Sequence, residues 1–133
     1  MKEHFAVSLA AIIALLSFAS CNKEKQENKC VSYSPAQVTK VAGLNDLSVN
    51  QETDLTVSYY LNNGCGKFEN IEATTIGNTT IISFKAKYEG SFCTDIILSG
   101  QSIYKFKAGQ AGVYYLKFLQ PDKTYLIDTI TVN

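Results

Sequence analysis

A chain of 133 residues leaves room for one domain of ordinary size. Twelve basic residues balance twelve acidic ones, every basic residue is a lysine, and there is no tryptophan. Nucleic-acid recognition rests on clustered positive charge and on bidentate guanidinium contacts, so a neutral chain without arginine is not expected to bind nucleic acid.

The first segment in chain order is a leader. Met1-Lys2-Glu3-His4 precedes a mainly apolar run from Phe5 to Phe18, and the chain then turns fully polar at Asn22 to Lys29. A bilayer-spanning helix needs about 20 apolar residues, so a run this short reads as the hydrophobic core of an export signal. The junction Phe18-Ala19-Ser20-Cys21 resembles the lipobox cut by lipoprotein signal peptidase, although phenylalanine stands where leucine is usual. Small residues let an extended backbone enter a tight protease site, and the Cys21 thiol is the nucleophile to which a diacylglycerol is attached. The resemblance implies a signal peptide over residues 1–20 and a lipidated Cys21. The alternative is ordinary cleavage with Cys21 left as a thiol. Each buried methylene contributes about 0.8 kcal/mol, so two or more acyl chains give effectively permanent membrane residence. The expected location is the cell envelope, anchored by lipid, in the outer membrane, with the domain facing either the cell surface or the periplasm.

Residues 21–30 are then the lipidated cysteine and a flexible tether, too poor in apolar groups to bury anything. The Lys23-Glu24 pair is similar to the surface-export signal of Bacteroidetes-type lipoproteins, and reads equally as a solvated spacer.

From Val31 to Asn133 the alternation has a period of two and is broken by turn residues, which predicts an all-β domain over residues 31–133. Leu55, Val57, Tyr59 and Leu61 share one face of the clearest run, which Asn62-Asn63-Gly64 ends. Ile82, Phe84, Ala86 and Tyr88 share the inward face of the next, with Lys85 and Lys87 outward. Shorter strands are expected at Leu47–Val49, Phe68–Ala73, Thr94–Leu98 and Ser102–Phe106. Two longer ones, Val113–Leu119 and Tyr125–Val132, flank the turn at Pro121-Asp122. About seven to eight antiparallel strands in a domain of this size is the count of an immunoglobulin-like β-sandwich.

The string from Phe106 to Phe118 resembles the penultimate strand of bacterial immunoglobulin-like and fibronectin-like modules. It places Gly112 at a tight turn, Tyr114 two positions on, and Leu116 and Phe118 after it. The resemblance implies that the Tyr114 hydroxyl bonds back across the corner and that Leu116 and Phe118 fill the core. The closing run Asp128 to Asn133 is also typical of such modules. Spacers, adhesins, carbohydrate-binding accessories and inhibitors share this fold, so it does not choose a function.

Three cysteines remain beyond Cys21. Cys65 follows one strand and Cys93 another, so they are expected to meet at one pole of the sandwich as a disulfide, with a pairing to Cys30 as the alternative. Cys30 is left over beside the tether, most simply as a buried or unreactive thiol.

No constellation carries chemistry. The only histidine is His4 in the leader, so hydrolases built on a histidine base or ligand have nothing to use after export. Asp46, Glu52, Asp54, Glu69, Glu72, Asp95, Asp122 and Asp128 are scattered, which reads as a solvated face rather than a catalytic pair or a calcium loop. No catalytic residue, metal site or cofactor is expected, and the chain is read as a non-enzyme. Tyrosine is abundant, with eight residues. Tyr60, Tyr104 and Tyr115 fall out of phase with core positions and form a candidate binding surface for a sugar ring or a protein, against cross-strand packing as the alternative.

These observations predict a membrane-anchored, non-catalytic lipoprotein that binds a protein or holds a place in an envelope assembly. Two rivals remain: a carbohydrate-binding accessory, and an inhibitor of a hydrolase presented by the loops at Asn62–Lys67 and Gly90–Thr94.

Overall fold

The computed structural model describes residues 30–133. The leader, Cys21 and the tether up to Lys29 lie outside the described residues. Nine strands follow one another: β1 (Val31–Pro35), β2 (Gln37–Ala42), β3 (Asp46–Leu47), β4 (Glu52–Leu61), β5 (Gly66–Ile76), β6 (Thr79–Glu89), β7 (Leu98–Lys107), β8 (Gly112–Leu119) and β9 (Tyr125–Val132). They form two sheets. One has the order β2-β4-β7. The other has six strands: β5 pairs along one edge of β6, while β1 and β8 share its other edge, and β9 and β3 continue beyond β8.

The two strongest alternations build the core. In β4, Leu55, Val57, Tyr59 and Leu61 are all buried, and in β6 Ile82, Phe84 and Ala86 are buried with Tyr88 packed beside them. Leu116 and Phe118 of β8 and Ile130 and Val132 of β9 complete the layer. Aromatic rings bridge the sheets: Phe84 stands 6.0 Å from each of Tyr59, Phe68 and Phe118 between ring centroids. Tilted contacts at such distances stabilise beyond the area they bury.

The corner before β8 follows the expected geometry. Gly112 has φ of 153°, which a side chain rarely adopts. The Tyr114 hydroxyl donates to the Gln110 carbonyl at 2.9 Å, and its ring meets Phe106 edge-on at 5.5 Å. At Pro121-Asp122 the turn is also present, closed by Gln120 N–H donating to Thr124 O at 2.9 Å and by the positive φ of Lys123.

Several elements differ from the sequence reading. Two pairs run parallel, β3 with β9 and β6 with β8. The second follows from connectivity: β7 crosses to the other sheet between β6 and β8, so the chain re-enters the first sheet in its original direction. No strand forms over residues 94–97, and β7 begins only at Leu98. The stretch is held instead against the β4–β5 turn, where Gly64 N–H donates to Thr94 O at 2.9 Å. β3 stops at Leu47 because Ser48 N–H donates to the Gln51 side chain at 2.9 Å and Asn50 takes a positive φ.

Candidate functional site

Cys65 and Cys93 are joined, with Cα atoms 5.3 Å apart. The bridge staples the β4–β5 turn to the β6–β7 connection at one pole. Tyr88 supports it from below, its hydroxyl accepting from Asn62 N–H at 3.1 Å. Gly90 is required there. A side chain at this position would lie 2.9 Å from Cys65 Sγ, and φ is 149°. Cys30 lies at the same pole, its carbonyl accepting from Gly90 N–H at 3.0 Å. Its thiol is free and exposed rather than buried, since β1 itself begins in solvent and turns toward the core only at Ser34 and Pro35.

The three candidate tyrosines do not share a surface. Tyr60 is exposed on the outer face of the three-stranded sheet, and Tyr115 on the outer face of the six-stranded sheet. Tyr104 turns inward, half-buried, with its ring edge-on to Phe118 at 6.5 Å. Burial raises its hydroxyl pKa. Its phase is hidden in the sequence because β7 carries Gly100 and Ser102 at inward positions. Gly100 is small because the Tyr59 ring occupies the space a side chain would need.

Around Tyr115 the structure assembles side chains that the sequence reading missed. Ile81 of β6 pairs with Lys117 of β8, which pairs with Ile127 of β9, and Tyr115 pairs with Thr129. All of these side chains point to the outer face. Ile81, Val113, Tyr115, Tyr125 and Ile127 are exposed, making one apolar and aromatic field with Lys117 inside it. The Lys117 ammonium stands 6.0 Å from the Tyr125 ring centroid. The signal was present in the alternation: isoleucines at the outward positions of β6 and β9 are apolar where solvent-facing residues are usually polar.

A second feature lies where β2 meets the β8–β9 turn. A cleft of about 410 Å³ is lined by Gln37, Asn62, Asp122, Thr124 and Tyr125 among others. Gln120 donates to Val38 O at 3.3 Å, and its Oε1 is buried without a partner. The Asp122 carboxylate accepts from both the Thr124 hydroxyl and its N–H, which lowers its pKa.

Most of the acids are engaged in surface pairs. Lys105 reaches Asp54 at 2.8 Å and Glu52 at 3.4 Å, Lys85 reaches Glu72 at 2.8 Å, and Asp46 accepts from the Asn133 side chain. Hydrogen bonds donated to these carboxylates raise the pKa of Lys105 and Lys85, and one donated to Glu89 does the same for Lys87. Among the described residues no group of three or more His, Cys, Asp or Glu could hold a metal ion.

The molecule is thus a two-sheet β-sandwich, stapled at one pole and carrying an apolar field on one face. Residues 55–132, from within β4 to the end of β9, match the model of the ORF11 β-sandwich domain, and the chain belongs to that family. No curated protein and no solved structure matches the chain.

Proposed function

We propose that the protein is a non-catalytic, lipid-anchored lipoprotein of the cell envelope whose sandwich binds a protein partner through the outer face of the six-stranded sheet. The observation that carries the binding reading is the exposed field of Ile81, Tyr115 and Ile127 flanked by Val113 and Tyr125. Exposed apolar and aromatic side chains gathered on one sheet face are typical of sites covered by a partner. Tyrosine rings are also among the side chains that concentrate binding energy at interfaces. The anchoring reading rests on the leader and on Phe18-Ala19-Ser20-Cys21. The test is in-cell photocrosslinking of the full chain from position 115, with position 60 on the opposite sheet as reference. A discrete adduct from 115 that disappears with Ile127→Glu is expected. Equal crosslinking from both positions, or none from 115, refutes the binding face. Mass analysis of the mature N-terminus tests the anchor separately.

A second reading, glycan binding, is favoured by the cleft beside Tyr125. The unpartnered Gln120 Oε1, the amides of Gln37 and Asn62 and the Tyr125 ring are the groups that hold a sugar. Binding on a glycan array that is lost in Tyr125→Ala supports it, and an empty array removes it.

A further inference from the structure

The pole that carries the disulfide is also the pole at which the described chain begins. Cys30 is hydrogen-bonded to Gly90, and Val31 pairs with Glu89 at the last residue of β6. The C-terminus lies at the far pole, where Asn133 exchanges backbone hydrogen bonds with Leu47 and Val49. A chain leaving Cys30 toward Cys21 therefore departs from the disulfide pole.

That pole is closed by the connection Gly90 to Ile97, which carries three exposed large apolar side chains, among them Phe92, the most exposed of that kind among the described residues. Phe92 is 97% exposed, Ile97 71% and Ile96 52%. The loop is not loose. Cys93 is bonded to Cys65, and Thr94 accepts from Gly64, so Phe92 is presented by a backbone pinned immediately beside it. The pinned backbone therefore holds a whole phenyl ring in water. Asp95 is the only charged residue between Gly90 and Ile97.

We infer that this loop is a membrane-contact site: Phe92, Ile96 and Ile97 insert into the interfacial layer of the bilayer to which Cys21 is anchored, and stand the domain on its disulfide pole. The inference rests on the anchored reading proposed above. Residues 22–30 can span at most about 30 Å when fully extended, so the anchor holds the loop within that distance of the lipid. Attachment through Cys21 makes the loop's encounter with lipid intramolecular, so three apolar side chains suffice for a contact that would be weak from solution. The loop's single charge, on Asp95, is negative and fits a zwitterionic surface better than an anionic one. Ten residues of β4 place the far pole about 33 Å further out, with the Tyr115 field facing sideways, clear of the lipid.

The absence of tryptophan makes the test direct. Full-length, lipidated chain carrying Phe92→Trp is reconstituted in phosphatidylcholine vesicles with and without brominated acyl chains. Ile97→Trp serves as a second reporter, and Ile76→Trp, at a residue 75% exposed on the far end of β5, as the reference. Blue-shifted emission and quenching by bromolipid at positions 92 and 97, with position 76 unchanged, are expected. A chain that carries lipid on Cys21 by mass but whose indole at position 92 emits as in water overturns the membrane-contact site and leaves the anchor standing. Quenching at all three positions overturns it too, since the domain would lie on the surface without orientation. An unlipidated Cys21 overturns the anchored reading and the inference with it.

Discussion

Removing the Cys65–Cys93 bridge measures how much of this small domain is held by the unfolded side of the equilibrium. The bridge has a sequence separation of 28, and the whole β5–β6 hairpin lies inside the loop it closes. In the chain-entropy treatment, cross-linking a loop of that length removes about 12 cal/mol/K from the unfolded chain, or about 3.5 kcal/mol at 25 °C. Domains of this size are stable by about 5–15 kcal/mol, so the bridge is a large share of the total. The native pole keeps its other ties without it: Gly64 to Thr94, Glu89 to Cys65 O, and Asn62 to Tyr88. The double variant Cys65→Ala/Cys93→Ala should therefore fold to the same sandwich, lose about 3.5 kcal/mol in urea titration and melt about 15 °C lower. Its denaturant slope should rise, because an uncrosslinked chain exposes more surface when unfolded. A variant within about 1 kcal/mol of the parent at an unchanged slope would refute the reasoning, by showing that the hairpin already closes this loop in the unfolded ensemble.

Three further outcomes are expected. Tyr114→Phe keeps the ring against Phe106 and removes only the hydroxyl bond to Gln110 O, so urea titration should show a loss of about 1 kcal/mol; a neutral result would mean that the corner is held by packing alone. Phe84→Ala empties the centre of the aromatic bridge between the sheets and should cost about 3–5 kcal/mol, visible as a collapse of the melting temperature, whereas Ile76→Ala on the surface should change almost nothing. Stability should fall at both ends of the pH scale. Lys85, Lys87, Lys105 and Tyr104 all have raised pKa values in the fold, so their contributions are complete below the ordinary lysine and tyrosine values near 10 and are lost as pH rises through the folded values. Asp122 has the opposite sign: its lowered pKa contributes above the ordinary carboxylate value near 4 and is lost as pH falls through the folded value. Thermal melts across pH check both limbs, and a profile still rising above pH 11 would contradict the lysine assignments.

The β-sandwich was legible where side-chain phase and turn chemistry agreed. β4 and β6 alternate without interruption, and their inward residues are the buried ones. The disulfide was legible because both cysteines sit just past strand ends. The first two strands were not visible as separate elements. β2 carries a bulge between Val38 and Lys40, so its inward residues are Val38 and Val41, three apart, and the period of two is lost. β1 ends in Pro35 and shares its edge of β6 with β8, a division of one strand between two partners that alternation cannot express. Tyr104 was placed on the wrong face because small and polar residues occupy its inward neighbours. The apolar field at Tyr115 needed three strands to be brought together, and β6 and β9 are joined only through β8.

The pairing of β3 with β9 sets a condition on how the molecule comes into being. Asp46 and Leu47 hydrogen-bond to β9, which follows every other described strand in sequence, and Asn133 completes that pairing through both its backbone and its side chain. The first sheet therefore cannot be finished until β9 and Asn133 are available. Contacts so distant in sequence form slowly. Until they form, the exposed edges of β8 and β9 are surfaces on which an unfinished chain can stick. The sheet must wait, incomplete, for β9, so the loss of Thr131, Val132 and Asn133 should act on yield during biogenesis before it acts on the stability of whatever has folded.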